Sequence, residues 1–411
     1  MPRPLENLRV VDFTHALAGP YATNVLAQLG AEVIKVESPH GDLFRAYGDD
    51  RELAKLGMGI PFVGSNAGKK SVSLDLKKEE AREIVRKLIA ESDIVVENMR
   101  PGTIKRLGFS YEVCKELRPD IIYCSISGYG QEGPMRDYPA IDNVVQATSG
   151  MMMVSGSEED PPIRVGVPAA DTYTATMAAL AILAATTQRA RFGTGQFIDV
   201  AMMDASLIFM YGSTAQYAAT GAEHKRTGNM GFSGQPTSGL FRCSDGHLVS
   251  LGVVQHNQWV TFCKAAKRED LLEDPRFNTI YDRIDNAPAL VEIIEQLFLT
   301  KTGEEWERQL SLGGVPCGMI RTVSEAMELE QVKQRNLRVP LNIPGMPNAD
   351  LGVLGTGFLF AEDGPAVDGP PPFLSENGEE ILSMLGYSNQ QIADFLASGI
   401  LQPSKKPETA K

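Results

Sequence analysis

The sequence predicts an α/β fold, with a doubly wound parallel sheet in a large domain and a second, smaller domain. Three observations lead there. Short apolar runs of strand length alternate with stretches of helical periodicity through the first half of the chain, which is the pattern of repeated βαβ units. A Gly- and polar-rich passage containing Gly228, Gly231, Gly234 and Pro236 then breaks that alternation. Finally, 411 residues exceed what one hydrophobic core usually organises.

Residues 8–13 read as a buried strand, 20–29 as a helix and 31–37 as a second strand, which makes one βαβ unit. The turn between the first strand and helix runs Thr14-His15-Ala16-Leu17-Ala18-Gly19-Pro20. It lacks the GxGxxG that brings backbone close to a pyrophosphate, and the chain has no GxxxxGK[ST]; dinucleotide and P-loop chemistry are therefore disfavoured. The pattern resumes with a helix at 79–90, a strand at 94–98, a helix at 111–117 stopped by Arg118-Pro119, and a strand at 121–126. Residues 172–191, rich in Ala, Met and Leu, form the most helix-prone stretch, with Gly193-Thr194-Gly195 as its stop and a strand at 197–201.

The expected division is 1–220 for the first part of the large domain, 221–328 for the small domain and 329–411 for a C-terminal return with a tail. The middle region carries a strand at 248–253 and helices near 257–266, 287–297 and 302–312. After Pro340 the chain turns Pro- and Gly-rich, as a tract that wraps a surface does, and then regains helical character at 377–385 and 389–398. Residues 402–411 are polar and expected to fray.

A net charge of −13 opposes general nucleic-acid binding, so any anionic ligand must meet a few local cations. The longest apolar run, 177–185, is too short to cross a bilayer, and the N-terminus shows neither secretory nor transit character. A cytoplasmic protein without membrane contact is expected. Cys114, Cys124, Cys243, Cys263 and Cys317 show no metal-ligand or redox spacing, so neither zinc nor disulfides are expected.

Asp171, immediately before the 172–191 helix, reads first as an N-cap whose carboxylate accepts backbone N–H groups and stays ionised in the helix dipole. Those donors would also suit negative charge on an acyl oxygen under attack. His15 lies in the turn after a strand, where α/β sheets bind ligands, although a lone His in a turn is more often structural. Arg100, Lys105 and Arg106 surround Pro101-Gly102 as a cationic cluster suited to phosphate, or as a solvated face. The 228–234 stretch reads more commonly as linker, and as a lid it would exclude water.

Several ordered segments then carry a specific resemblance: LENLRVVDFTHALAGPYATNVLAQLGAEVIKVE at 5–37, SVSLDLK at 71–77, DIVVENMRPGTIKRLGFSYEVCKELRPDIIYCSISGYGQEGP at 93–134, and GTGQFIDVAMMDASL at 193–207. Over about residues 5–396 the chain resembles the family III CoA-transferases, the group that includes formyl-CoA transferase and the carnitine and bile-acid enzymes. The resemblance implies a Rossmann-like large domain with a smaller α+β domain, in protomers paired as interlinked rings, either a homodimer or a heteromer with a related subunit. It makes Asp171, within VGVPAADTYTA, the nucleophile. Contacts to coenzyme A carry over to His15, Leu17 and Ala18, to Leu74, Asp75 and Lys77, and to Asn98, Met99, Arg100 and Arg106. Substrate contacts carry to Asp142 and to the glycine loop at Gly231, Gly234 and Gln235.

The chain departs from the formyl-CoA transferase pattern at Leu17, where a Gln is usual, and at Ser38, where an Arg is usual. The glycine loop is reduced to Gly231-Phe232-Ser233-Gly234-Gln235-Pro236, and Ser375-Glu376-Asn377-Gly378 replaces a Gly-Glu-His-Thr. These differences imply a different acyl substrate. The overall look of the chain is similar to that of the succinyl-CoA-dependent members acting on dicarboxylates such as benzylsuccinate, malate or mesaconate, with Arg45, Arg136 and Arg164 either gripping a second carboxylate or serving as surface charges. Acyl-CoA enters as substrate; no metal and no permanently bound cofactor are implied. A related α-methylacyl-CoA racemase would carry a His where this chain has Ile141, and so lacks its second proton carrier here. A non-catalytic subunit would not need Asp171.

Overall fold

The computed structural model describes residues 2–231, 233–346 and 350–407. Within these bounds the chain forms two compact units. The larger comprises 1–151, 164–221 and 333–411; the smaller comprises 152–163 and 222–332. Residues 152–163, placed with the large domain on sequence grounds, thus belong to the smaller unit. Part of the tail expected to fray, 408–411, lies outside the described residues, as does Phe232 in the glycine loop.

The larger unit is built on six parallel strands: β1 (Arg9–Asp12), β2 (Glu32–Glu37), β3 (Lys70–Ser73), β4 (Ile94–Glu97), β5 (Ile122–Ser127) and β6 (Gln196–Ala201). Their order is β3-β2-β1-β4-β5-β6. Val11 on β1 lies opposite Ile34 on β2 and Val95 on β4. The order reverses between β1 and β4, and the crevice beyond the carboxyl ends at such a switch point is where open α/β sheets bind ligands.

Successive residues point to opposite faces, and both faces are apolar. Val11, Ile34, Val72, Val95 and Tyr123 meet Ile84, Val85 and Leu88 of the helix Glu79–Ala90, together with Ile381 and Leu382 of the helix Gly378–Met384. On the reverse face Val10, Val33, Ile94 and Val96 meet Ala22 and Leu26 of the helix Ala18–Gln28, and Ala178 and Ile182 of the helix Ala169–Phe192. The small Ala side chains on these last two helices leave room for a close approach to the strands.

The smaller unit holds an antiparallel sheet of β7 (Ser238–Arg242), β8 (Leu248–Gly252) and β9 (Cys317–Met319), packed on Trp259, Phe298 and Trp306. The C-terminal tract contains a hairpin of β10 (Arg338–Leu341) and β11 (Leu351–Leu354) that the Pro-rich composition concealed. It returns to the large unit, where Leu401 bridges Leu74 just beyond β3 and the Gln402 N–H donates to the Ser73 carbonyl at 2.9 Å. All five cysteines are free, four of them buried. Among the described residues no helix is long and apolar enough to cross a membrane, and no group of side chains is arranged to hold a metal ion.

Candidate active site

Beyond the carboxyl ends of β1, β4 and β5 lies a cavity of about 530 Å³. One wall is the turn after β1, with His15, Leu17 and Ala18; a second follows β4, with Asn98, Met99 and Arg100. A third follows β5, with Ser127 and Gly128, and further on Arg136, Ile141 and Asp142. Asp171 completes the lining from the helix Ala169–Phe192. Leu43 and Phe44 add an apolar side. Gly128 is required by a close approach: a Cβ there would stand 2.2 Å from that of Ala140.

Asp171 is not the helix cap expected from the sequence. The helix begins at Ala169, its N-cap position is Pro168, and no side chain caps it. Asp171 is therefore the third helical residue, and its N–H donates to Asp142 Oδ2 at 3.1 Å. Among the described residues no backbone donor is paired with its carboxylate, so the expected stabilisation of the ionised form is missing. Burial, reinforced by the Asp142 charge, instead pushes the Asp171 carboxyl up to about 7. The result is a buried carboxyl close to half-ionised at neutral pH.

Asp142 opens the helix Asp142–Thr148 and is 8 % exposed. Its Oδ1 accepts the Gln146 amide at 2.6 Å, and Gln146 Oε1 accepts the Val165 N–H at 3.0 Å, which ties the approach to Asp171 onto this helix. Ile141, immediately before it, is exposed and supplies no proton carrier.

The turn after β1 is held by side chains. Asn98 Oδ1 accepts the His15 N–H and Asn98 Nδ2 donates to the His15 carbonyl, both at 2.8 Å. Asn98, expected to contact CoA, lines the cavity while its amide pairs with the chain itself. Burial, with Lys35 nearby, pulls the His15 imidazole below its ordinary value, so the ring is neutral at pH 7. Gly19 lets the helix start press on Thr14, since a Cβ there would be 2.4 Å from Thr14 Cβ.

Of the cationic candidates, Arg100 and Arg136 line the cavity. Arg106 does not, but its Nη1 and Arg136 Nη2 lie 3.5 and 3.9 Å from where a Gly102 Cβ would stand, so two guanidiniums converge there. Arg45 cannot grip a substrate carboxylate: it is buried, with Nη2 2.6 Å from Glu37 Oε1. Arg164 is exposed and donates to Asn143 Oδ1 at 3.3 Å. Leu74, Asp75 and Lys77 follow β3 on the same edge of the sheet but do not line the cavity. The Leu74 side chain is fully buried in the core, which leaves only its backbone for any ligand.

Gly231, Gly234 and Gln235 belong to the smaller unit. There the Gly231 N–H donates to the Ser238 carbonyl at 2.8 Å and the Gly234 N–H to the Gly231 carbonyl at 3.0 Å, while Gln235 is buried.

Two acids escaped the sequence reading. Asp42 is buried behind the turn after β1 and accepts the Ala16 N–H at 3.2 Å. Glu97 ends β4, accepts the Met99 N–H at 2.8 Å and a bond from the Ser125 hydroxyl, and is pushed up to about 7, chiefly by burial. The signal for Glu97 was a lone acid closing an apolar strand beside the Asn98-Met99-Arg100 run.

The profile of CoA-transferase family III matches residues 5–377. A mouse (Mus musculus) succinyl-CoA:glutarate CoA-transferase is 34% identical over 402 residues, covering 97% of this chain and 91% of its own. A succinyl-CoA:mesaconate CoA-transferase of Haloarcula hispanica is 34% identical over 390 residues, 93% of this chain and 96% of its own. Among solved structures, a CAIB/BAIF family protein from Brucella suis superimposes with a TM-score of 0.82 at 32% identity, covering 94% of this chain and 100% of that one. Profile, relatives and fold agree, and the chain belongs to family III of the CoA-transferases.

Proposed function

We propose that this enzyme moves CoA from succinyl-CoA to a dicarboxylate acceptor of the benzylsuccinate, glutarate or mesaconate type, with Asp171 as the covalent carrier. The observation that carries this reading is the Asp171 carboxylate, uncapped and lining a cavity at the switch point of the sheet. Acceptor class is argued from the relatives, whose names pair succinyl-CoA with glutarate and mesaconate.

A carboxylate nucleophile keeps the acyl group activated throughout. Asp171 attacks the thioester carbonyl, forming a mixed anhydride and expelling CoA thiolate. The thiolate attacks the aspartyl carbonyl of the anhydride, releasing the donor acid and leaving an aspartyl-CoA thioester. The acceptor carboxylate then displaces CoA from Asp171 to give a second anhydride, and the thiolate attacks the acceptor's carbonyl, freeing Asp171. Neutral His15 and the turn that carries it form the wall beside this carboxylate. Water must be excluded while the anhydride exists. The active form is a pair of protomers, homodimeric or heteromeric, a point that light scattering of the purified chain decides.

Incubation with succinyl-CoA followed by peptide mass spectrometry is expected to reveal a CoA adduct on the peptide containing Asp171. Asp171→Asn should lose roughly a thousandfold or more in kcat. An unmodified peptide together with a fully active Asp171→Asn variant would overturn the proposal. A panel of acceptor acids with succinyl-CoA identifies the preferred one.

A further inference from the structure

The carboxylate of Asp42 is shared between two walls of the Asp171 cavity. Its Oδ1 accepts the Ala16 N–H at 3.2 Å, in the turn that carries His15 and Leu17. The same oxygen accepts the Phe44 N–H at 2.9 Å, capping the short helical turn Leu43–Ala46 that supplies Leu43 and Phe44 to the lining. Asp42 itself is buried at 2 % exposure and is not among the lining residues.

Lys35, fully buried on β2, stands behind it. Its Nζ is 3.1 Å from Asp42 Oδ2 and donates to the Thr14 carbonyl at 2.6 Å. The ion pair thus straddles the turn, the base holding Thr14 and the acid holding Ala16. Ala16 has φ 63°, a left-handed conformation that a residue with a Cβ keeps only where its surroundings impose it. Asn98 grips His15 between them. Three consecutive residues of this turn are therefore held by side chains, two of which, Lys35 and Asp42, are buried, and Asp42 also anchors a second wall.

We propose that Asp42, backed by Lys35, is a positioning residue for CoA transfer: it sets the spacing of the two walls and so the affinity for the CoA ester, without touching substrate. This rests on the reading of the cavity as the acyl-CoA site. A purely structural buried ion pair would change stability and leave substrate affinity alone; a positioning role moves KM more than kcat.

The test compares full-length parent, Asp42→Ala and Asp42→Asn in transfer from succinyl-CoA, with amide hydrogen exchange of peptides covering residues 13–18 and 43–47. Asp42→Ala, which removes both hydrogen bonds, is expected to raise KM for the CoA ester roughly tenfold or more while kcat changes less than about threefold. Both segments should exchange faster. Asp42→Asn retains an acceptor oxygen and should recover most of the lost affinity, leaving KM about threefold above the parent. A folded Asp42→Ala variant with KM within about twofold of the parent overturns the proposal, as does faster exchange in one segment only. If Asp42→Ala does not fold, Asp42→Asn decides alone: a raised KM with both segments loosened supports the role, and unchanged values overturn it. A parent that transfers no CoA would refute the transferase reading instead, and the exchange measurements would still report whether Asp42 holds both walls.

Discussion

In the proposed mechanism Asp171 attacks only as a carboxylate, and its burial beside Asp142 raises the pH at which that form prevails to about 7. The value of kcat/KM for the free enzyme should therefore rise with pH through about 7 and level off above it, because the ionised fraction follows the titration. Asp142→Asn removes the neighbouring charge and is expected to shift that midpoint to lower pH, which a pH–rate series reads directly. The same shift acts on stability. The folded chain holds the Asp171 proton up to about 7, while an ordinary aspartate releases it near 3.8, so folding stability is lost as pH rises between those values. Asp171→Asn should then melt a few degrees above the parent at pH 8. Below about pH 4 the difference should vanish, as differential scanning calorimetry at both pH values shows. The sequence pointed to this residue but misplaced the helix start by three positions. The capping rule took the Asp as the last residue before the helix, whereas Pro168 and the alanines after it had already started the turn. Asp42 stayed hidden for another reason: its partners, Lys35 and the Ala16 amide, meet it only once the chain has folded.

The helix Ala169–Phe192 ties the cavity to the packing of the core. Ala175, Ala178, Ile182 and Ala185 bury its inner face in the cluster that contains Ala22 and Leu26 of the helix Ala18–Gln28. Ala178→Leu adds volume where none is free and should cost about 1–3 kcal/mol in urea unfolding. Asp171 rides on the first turn of that helix and the wall of Leu17 and Ala18 leads into the other. The substitution is accordingly expected to lower kcat as well as stability. Elements with continuous apolar runs, such as β1, β4 and β5, could be read from the sequence. β3 could not, because Lys70-Ser71-Val72-Ser73 looks polar. Its serines are buried all the same: Ser71 Oγ donates to Glu37 at 2.6 Å and Ser73 Oγ to the Ser38 carbonyl at 2.9 Å. The hairpin of β10 and β11 was obscured by the same Pro- and Gly-rich composition that marked the tract as a wrapping segment.

The larger unit is assembled from three separated stretches of chain, and the last covers the first. Ile381, Leu382, Leu385 and Ile392 seal one face of the sheet, the Asn377 N–H donates to the Ser71 carbonyl at 2.9 Å, and Leu401 bridges Leu74. Deleting residues 365–411 would bare part of that face and the outer edge of β3, and the shortened chain should be recovered as aggregate, which sedimentation after expression checks. Assembly from distant stretches also has a consequence in time. During synthesis at about 5–20 residues per second, the 180 or so residues between 221 and 401 take roughly 10–40 s to emerge. For that interval the six strands have been made but one of their faces lacks the C-terminal part of its cover. The strand left at the open edge through that interval, β3, is the one whose own sequence is already serine-rich and poor in sticky side chains.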